Sequence, residues 1–293
     1  MFKIISLQSL GQMVIAFMCV ILLTIMFPTY YRSSMKLFED QSTVHSHVGT
    51  LNRWIYVITP TKQSLVQKAD LTRLAQTLMH VPNLHWIVVE DSPKKSDVIE
   101  RLLQRSRLSY THLNEFTRNK TEFRGRGMKQ RNAGLTWLRQ NRPRAHGVVY
   151  FADDDNAYDI RLFERMRHVL NVGVWAVGLA GGGKIEAPAV DSKTGEVTGW
   201  HSMYAVKTRK YAIDMAGFAI SLDIINHVPT LAFQKSCGPG YGETCFLEQI
   251  PFLTLNKLEP VGYNMLPREV LVWHTKTRAT GDKGSFHEYG YEV

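Results

Sequence analysis

Three consecutive carboxylates, Asp153, Asp154 and Asp155, are the residues of this chain that point most directly to chemistry. They follow the apolar run Gly147–Tyr150, which predicts a buried strand. Two unit charges about 4 Å apart repel by roughly 4 kcal/mol at an effective dielectric of about 20, so such a cluster is costly without a cation. Carboxylate oxygens suit Mg²⁺ or Mn²⁺, which often share their coordination with substrate phosphates. The cluster therefore predicts a metal–diphosphate site; the alternative is a solvated acidic turn before a helix N-cap.

Polar side chains also stand at the ends of other predicted strands. Thr59–Thr61, Glu90–Asp91 and His274 each follow an apolar run. Because ligands of open α/β sheets bind outside the carboxyl ends of the strands, we expect these residues to meet the aspartates on one rim of one sheet. Asp91 could accept hydrogen bonds from a uracil or a ribose, and helix capping is its alternative role.

Two arginines surround the predicted start of a helix. Arg126 and Arg131 lie five residues apart there. Guanidinium groups bind diphosphates through paired hydrogen bonds, and a helix N-terminus attracts anions. The pair predicts a diphosphate-binding surface, with a solvated basic helix face as the alternative.

Glu243 follows the segment Cys237–Gly242, which contains three glycines. A glycine-rich loop lets the backbone approach a ligand closely and can position an acid as a general base. Spacing alone favours a simpler interpretation, in which Glu243 is a first-turn helix acid stabilised by the helix dipole.

Strands and helices alternate from Arg53 onward, which predicts an α/β fold with a mostly parallel sheet and helices on both faces. The predicted strands cover residues 54–58, 85–89, 110–113, 147–150, 174–179 and 270–273, and the predicted helices cover residues 71–78, 98–103, 130–138 and 222–227. Ser96 is the expected N-cap of the second helix, and residues 191–196 are expected to form a hairpin turn.

The N-terminal region differs from the rest of the chain. Met13–Phe27 carries no charge and precedes Pro28. We interpret residues 13–28 as an uncleaved signal-anchor helix, residues 1–12 as a short cytoplasmic tail and residues 29–52 as a stem. A cleaved signal peptide is the alternative.

Composition and net charge indicate the class of protein and the kind of partner it binds. The chain is 44% hydrophobic and 21% charged, as an ordinary globular protein is, and its net charge of +9 favours anionic partners. The basic residues are dispersed and match no nucleic-acid-binding motif, so we expect no nucleic-acid partner. Asn119–Thr121 is an N-glycosylation acceptor pattern. Cys237 and Cys245 can form one disulfide or remain buried thiols.

Seven motifs of this chain form a known pattern in their order: Tyr56–Thr61, Gln67–Leu74, Leu84–Asp91, Gln130–Asn132, Val149–Asn156, Asp214–Ala219 and Val272–Thr275. Through them the chain resembles the β-1,3-glucuronosyltransferases from about Arg53 to about Thr277. The resemblance implies a GT-A-type nucleotide-diphospho-sugar transferase fold in a single-pass type II Golgi membrane protein with a luminal catalytic domain. It also implies inverting, metal-dependent transfer of glucuronic acid from UDP-glucuronate to the 3-hydroxyl of a terminal galactose.

The resemblance assigns roles to individual residues. It implies that Asp155 binds Mn²⁺ and that Glu243 is the catalytic base, while residues 53–155 bind the UDP-sugar and residues 156–293 bind the acceptor. Donor contacts are expected from Pro60, Asp91, Arg126, Arg131, Asp153, Asp154 and His274. Acceptor contacts are expected from Glu186, Arg209 and Asp214.

The chain departs from the family pattern at three places. Lys62 replaces a residue that is often aromatic, Pro239–Gly242 replaces an Arg-Gly-His type of sequence, and Gly199–Tyr211 matches poorly. The acceptor therefore stays open between the galactose-galactose-xylose linker of proteoglycans and an N-acetyllactosamine-type terminus. Rival functions are transfer of another UDP-sugar and non-catalytic glycan binding. We also expect that the chain can form a homodimer.

Overall fold

A computed structural model of the protein describes residues 53–118, 127–143 and 145–278. The predicted tail, signal anchor and stem lie outside these residues, as do Asn119 and Arg126. Within the described ranges, no helix combines the length and the apolar character that a membrane crossing needs.

The described residues alternate between strands and helices, as expected. The strands are β1 (Trp54–Thr61), β2 (Leu84–Glu90), β3 (Ser109–Asn114), β4 (Gly147–Phe151), β5 (Ala157–Tyr158), β6 (Val172–Val174), β7 (Val177–Gly178), β8 (Ile185–Val190), β9 (Val197–His201), β10 (Phe218–Ser221), β11 (Glu259–Pro260) and β12 (Val272–Trp273). The α-helices are α1 (Gln67–Leu78), α2 (Asp97–Ser106), α3 (Met128–Asn141), α4 (Ile160–Met166), α5 (Leu222–His227) and α6 (Gly242–Leu247). Short 3₁₀ turns cover Met215–Gly217 and Leu255–Lys257.

The larger sheet has seven strands in the order β11-β6-β10-β4-β1-β2-β3. Only β10 runs against the others, pairing antiparallel with both β4 and β6, so the prediction of a mostly parallel sheet is confirmed. Tyr56 of β1 pairs with His85 on one side and Val149 on the other. Since β1, β2 and β4 are parallel neighbours, Thr61, Glu90 and the aspartates after β4 reach the same edge of the sheet.

Helices cover both faces of this sheet because its central strands are apolar on both sides. On one face, Leu74 of α1, Leu103 of α2 and Phe163 of α4 belong to one buried core with alternate residues of β1. On the other face α3 packs closely, and a Cβ on Gly134 would lie 2.7 Å from Ile58 Cγ2. Helix α2 begins as predicted, with the Ile99 N–H donating to the Ser96 hydroxyl at 3.4 Å.

A second sheet of five strands, in the order β5-β12-β7-β8-β9, stands beyond the large one. The predicted hairpin is present, since β8 and β9 pair antiparallel around residues 191–196. The prediction of one strand over residues 174–179 is wrong. The chain leaves the large sheet after β6 and joins the second sheet as β7, and between them the Trp175 N–H and indole N–H donate to Gly217 O (2.9 Å) and Ala216 O (2.8 Å).

The expectation that His274 shares a sheet rim with the aspartates is wrong. His274 follows β12, which pairs with β5 and β7 in the second sheet, so it does not stand on the rim of the same sheet as the aspartates. The large sheet also takes β6, β10 and β11 from beyond residue 155. The assignment of the donor to residues 53–155 and the acceptor to residues 156–293 stays a prediction about binding.

Candidate active site

The aspartates after β4 are held by different elements. Arg131 of α3 forms an ion pair with Asp153. The Thr61 hydroxyl, at the end of β1, donates a hydrogen bond of 2.6 Å to Asp154 Oδ2. Two of the three carboxylates are therefore bound to neighbouring elements, Asp153 to α3 and Asp154 to the end of β1.

Asp155 is bound to the protein mainly through its backbone. Its carbonyl accepts hydrogen bonds from Arg73 Nη2 at 2.8 Å and from the Thr275 hydroxyl. Its side chain is half-buried. In the part of the chain that the structure describes, no group of three or more His, Cys, Asp or Glu side chains is arranged to hold a metal.

Burial disfavours the charged forms of two of the three carboxylates, Asp154 and Asp155. Burial raises the pKa of Asp154 to about 7, and the charges of Asp155, Asp153 and Asp70 add to this rise, while the Thr61 hydrogen bond opposes it. Burial is also the largest cause that raises the pKa of Asp155. A nearby cation stabilises the anionic form of such buried carboxylates and lowers their pKa.

Helix α1 contributes residues that the sequence interpretation did not single out. Asp70 is buried and accepts hydrogen bonds from Arg73 Nη2 (3.1 Å) and from the Thr277 hydroxyl. Arg73 in turn reaches the Asp155 carbonyl, so α1 and the segment after β12 close around the last aspartate. Asp70 and Arg73 stand in the motif Gln67–Leu74, which carried the resemblance but received no role.

Asp91 lies at the end of β2, where its backbone N–H donates to Thr61 O at 2.7 Å. Its carboxylate accepts a hydrogen bond of 2.7 Å from the Thr117 N–H. The helix-capping alternative is wrong, because Ser96 caps α2. Asp91 instead orders the chain after β3, and its contact with uridine stays a prediction.

Arg131 is buried, so the alternative of a solvated basic helix face is wrong for this residue. It stands in the first turn of α3, after the N-cap Gly127 with φ +75°. A Cβ on Gly127 would lie 2.7 Å from Pro60 Cβ and 3.1 Å from Arg131 Nη1, so no larger residue fits here. The close approach brings Pro60, the start of α3 and Arg131 together. Arg126 lies outside the described residues.

Glu186 and Arg209 form a buried ion pair of 3.1 Å. Their side chains are 1% and 4% exposed, so both charges are removed from water. The Ser202 hydroxyl also donates to Glu186 Oε2, and the Arg209 guanidinium lies 5.1 Å from the centre of the Tyr204 ring. Burial raises the pKa of Glu186 despite the opposing effects of Ser202 and Arg209.

Asp214 joins the two sheets electrostatically. Its carboxylate caps the turn Met215–Gly217 by accepting from the Ala216 N–H at 2.9 Å, and its Oδ2 lies 3.8 Å from His274 Nδ1. Burial raises the pKa of Asp214, and the charge of Asp153 raises it further. His274 is held by its backbone N–H, which donates to Gly178 O at 2.8 Å, while its side chain is about half exposed.

Glu243 stands in the first turn of α6, half-buried. Burial raises its pKa to about 7; the charge of Asp214 adds to the rise, and those of Arg131 and Arg209 oppose it. The helix is anchored just behind it, since the Thr244 hydroxyl donates to Tyr211 O at 2.8 Å. A carboxyl group with a pKa near neutrality can exchange protons at physiological pH.

The structure thus brings most of the predicted residues into one electrostatic network. Its members are Arg131, Asp153, Glu186, Arg209, Asp214, Glu243 and His274. The expected meeting of the Thr59–Thr61 strand end with the aspartates is confirmed by the Thr61–Asp154 hydrogen bond. Sequence reasoning missed four polar neighbours of the predicted site residues: Asp70, Arg73, Ser202 and Tyr204. The first two stand in a quoted motif, which was the available signal, whereas the last two lie in the poorly matching segment Gly199–Tyr211.

Comparisons with known proteins agree with the resemblance. Residues 74–278 match the sequence profile of glycosyltransferase family 43. The chain belongs to glycosyltransferase family 43. Galactosylgalactosylxylosylprotein 3-beta-glucuronosyltransferase 1 of Homo sapiens is 46% identical over 235 residues, which cover 76% of this chain and 69% of that protein. The human 3-beta-glucuronosyltransferase 2 is 46% identical over 229 residues, which cover 76% of this chain and 69% of that relative.

Among solved structures, S. aureus TarS 1-349 in complex with UDP-GlcNAc is similar, with a TM-score of 0.50 and 17% identity. The match covers 82% of this chain and 62% of that one, and at this identity it shows the fold alone. The family 43 chain therefore has the mixed α/β fold of a nucleotide-sugar transferase. The family match includes every described residue of the network, from Arg131 to His274, and excludes Pro60.

Proposed function

We propose that this family 43 enzyme transfers glucuronic acid from UDP-glucuronate to the 3-hydroxyl of a terminal galactose, with inversion, on a GT-A-type fold. The relatives named above are glucuronosyltransferases that share 46% of their aligned residues with it. The observation that supports this function most strongly is the position of Glu243. Its charge interacts both with Arg131, on the proposed donor side, and with Arg209, on the proposed acceptor side.

Glu243 is the proposed general base. Its pKa of about 7 leaves a substantial anionic fraction at neutral pH while keeping it basic enough to accept a proton. As the galactose oxygen forms its bond to the anomeric carbon, the carboxylate takes the hydroxyl proton. The bond between the anomeric carbon and the diphosphate oxygen breaks on the opposite side, and UDP leaves with the electron pair.

The donor is proposed to lie along the carboxyl edge of the large sheet. Arg131, held by its ion pair with Asp153, places a fixed positive charge beside the strand ends. A buried guanidinium suits a diphosphate or a sugar carboxylate, because it presents several donors in a planar group. His274 faces this edge from the second sheet, and Asp91 and Pro60 stand on it at β2 and β1.

The residues present fit a divalent cation such as Mn²⁺ at Asp155. Two aspartates are engaged with Arg131 and Thr61, which leaves the half-buried Asp155 carboxylate as the proposed protein ligand. One or two carboxylates with substrate phosphates and water is the usual set for a small hard cation. When bound, the cation would neutralise charge on the departing diphosphate.

The acceptor is proposed to lie on the side of Glu186, Arg209 and Asp214. Relatives that are named galactosylgalactosylxylosylprotein glucuronosyltransferases favour the galactose-galactose-xylose linker. A rigid, buried ion pair such as Glu186–Arg209 can orient sugar hydroxyls because its own atoms do not need to reorganise. An N-acetyllactosamine-type terminus remains the alternative acceptor.

The proposed location is the Golgi membrane, as a single-pass type II protein with its catalytic domain in the lumen. The uncharged run Met13–Phe27 and the acceptor pattern at Asn119 support it. The disulfide between Cys237 and Cys245 supports it as well, since disulfides persist in oxidising compartments. Protection of the bulk of the chain from protease in sealed vesicles is the expected result, and cleavage there would contradict it. A homodimer stays a prediction.

A matrix of donors and acceptors tests the proposed activity. The full-length protein is incubated with UDP-glucuronate, UDP-glucose or UDP-GlcNAc and with a galactose-galactose-xylose or an N-acetyllactosamine acceptor, with Mn²⁺ or EDTA. We expect Mn²⁺-dependent UDP release with UDP-glucuronate and a galactose-terminated acceptor. Comparable turnover of UDP-glucose would favour transfer of another sugar, and acceptor binding without UDP release from any donor would favour a non-catalytic glycan-binding protein.

A further inference from the structure

Cys237 and Cys245 form a disulfide bond across eight residues of chain. The closed ring contains the loop Gly238–Tyr241 and the first turn of α6, where Glu243 stands. The sequence alone left open whether these cysteines pair. Their pairing places a covalent crosslink at both ends of the segment that leads into the proposed base.

The loop inside this ring has few restraints of its own. Gly240 adopts φ +76°, in the left-handed region that favours glycine. Helix α6 has six residues, and its N-cap Tyr241 makes no side-chain capping hydrogen bond. Short helices are marginally stable without tertiary support, so the path of the loop depends on contacts from outside the helix.

Helix α6 is held by Tyr211 and packs against Met128, whereas the loop is contacted by the segment 204–209, which ends at Arg209. The Tyr204 hydroxyl donates to Pro239 O at 3.1 Å, and the hydroxyls of Tyr241 and Thr208 are 2.6 Å apart. A Cβ added to Gly240 would lie 2.5 Å from Tyr204 Cε1, so the loop backbone packs directly against that ring. The loop and the segment 204–209 form one continuous layer beside the Glu186–Arg209 pair.

We propose that the disulfide is a specificity-determining crosslink that holds the loop 238–241 against Tyr204 and Thr208 and so shapes the acceptor side of the site. The inference rests on the proposed function, because the ligand concerned is its galactose-terminated acceptor. Arg131 and Asp153, which face the donor, belong to α3 and to the end of β4 and lie outside the ring. Opening the ring changes acceptor recognition and leaves donor recognition in place.

The test compares the oxidised full-length enzyme with two forms that lack the crosslink. One is the wild type reduced by a phosphine, which takes one oxygen from water to become the phosphine oxide as the S–S bond becomes two thiols. The other is the double variant Cys237→Ser/Cys245→Ser. In both we expect the acceptor KM to rise about tenfold, with the UDP-glucuronate KM and Mn²⁺-dependent UDP binding nearly unchanged. Phosphine should not affect the double variant, and reoxidation should restore the wild type.

Gly240→Ala supplies a second variant in which both cysteines are intact. Its Cβ would push the loop away from Tyr204, so the same rise in acceptor KM is expected without loss of the crosslink. An unchanged acceptor KM in the reduced wild type, with both thiols verified by mass, would overturn the proposal. An equal rise in donor and acceptor KM would also overturn it, because general loosening would then explain the effect. Absence of transfer by the oxidised wild type would instead overturn the proposed function.

Discussion

The Thr61 hydroxyl, at the end of β1, donates a 2.6 Å hydrogen bond to Asp154, which follows β4. The two residues come from neighbouring parallel strands that are 93 positions apart in the chain. Together with the Arg131–Asp153 ion pair, this bond gives the three adjacent aspartates three different surroundings. Adjacent substitutions in the triplet should therefore have different effects.

Asp155→Ala should abolish Mn²⁺-dependent binding of UDP, because it removes the proposed protein ligand. Asp154→Asn is the matched control, since its side-chain oxygen can still accept the Thr61 hydrogen bond, and it should weaken binding much less. Titration calorimetry with UDP, in Mn²⁺ and in EDTA, measures both variants. Equal UDP affinity of wild type and Asp155→Ala in Mn²⁺ would exclude Asp155 as the metal ligand.

Glu243→Gln should lower kcat by about 10²–10⁴-fold, the range typical of positioned base catalysis. The UDP affinity and the melting temperature should change little, because glutamine keeps the size and polarity of the side chain. Glu248→Gln, at the exposed C-cap of the same helix, controls for the general effect of removing an acid. Near-normal kcat in Glu243→Gln would show that Glu243 is only a first-turn helix acid.

The rate should depend on pH through the same group. Because the pKa of Glu243 is raised to about 7, its basic form is lost as the pH falls through that value. The wild-type kcat/KM should therefore rise with pH to a plateau, with its midpoint near neutrality. Asp214→Asn should move the midpoint to lower pH, since the charge of Asp214 raises the pKa of Glu243. A midpoint that stays fixed in this variant would contradict the coupling.

Arg209→Met should destabilise the fold by about 3–5 kcal/mol, as expected when one partner of a buried ion pair is lost and Glu186 is left unpaired. Urea unfolding at neutral pH measures the effect. Arg161→Met is the control, since Arg161 bonds to Asp159 and Glu269 at the surface, and it should cost much less. Similar losses in the two variants would mean that burial does not set the strength of the Glu186–Arg209 pair.

His112 predicts a pH dependence of stability away from the site. Its ring nitrogens lie 2.6 Å from Glu90 Oε1 and 2.7 Å from Glu100 Oε2. Burial lowers the pKa of His112, but the two carboxylates outweigh it and raise the pKa overall. The hydrogen bond to His112 lowers the pKa of Glu100, and the same group lowers that of Glu90 against the opposing effect of burial.

Because the pKa of His112 is higher in the folded than in the unfolded state, its protonation stabilises the fold. That stabilisation is fully present below the unfolded pKa of about 6.5 and is lost as the pH rises through the folded pKa. Because the pKa values of Glu90 and Glu100 are lower in the folded state, their ionised forms stabilise the fold above about pH 4.5. That stabilisation is lost at more acidic pH. The melting temperature should therefore fall as the pH rises from about 6.5. His112→Gln should flatten that slope, and an unchanged slope in this variant would assign the pH dependence to other groups.

Much of the large sheet was predictable because its central strands are buried on both faces. The apolar runs at β1, β2 and β4 have no competing interpretation in this alternating chain, and Ser96 marks the start of α2 through a local hydrogen bond. The apolar runs and the N-cap depend only on residues close in sequence, and the structure confirms the strands and the helix start that they predict.

The second sheet was less predictable because its pairings are long-range. Val174–Leu179 reads as one apolar strand, but the Trp175 indole N–H donates to Ala216 O and the chain changes sheets there. His274 likewise depends on β12, whose partners β5 and β7 lie about 100 residues earlier. No local pattern encodes such pairings.

In the candidate site, the residue types were predictable and the partners were not. The sequence left Arg131 open between diphosphate binding and a solvated helix face, and its burial against Asp153 appears only in the structure. Arg209 pairs with Glu186, which is 23 positions away in the chain. For Asp70 the motif Gln67–Leu74 was the available signal, and its contacts with Arg73 and Thr277 appear only in the structure.

The contacts of the segment after β12 have a consequence for synthesis of the protein. Thr275 and Thr277 bond to Asp155 and Asp70, which precede them by 120 and 207 positions. A ribosome completes the surroundings of Asp155 only after it has made nearly all of the described chain. A nascent or prematurely terminated polypeptide that ends before Val272 could form β1, β2 and β4, yet it would lack the threonines that close this corner. During synthesis, Asp155 and Asp70 therefore gain these partners only once translation has passed Thr277.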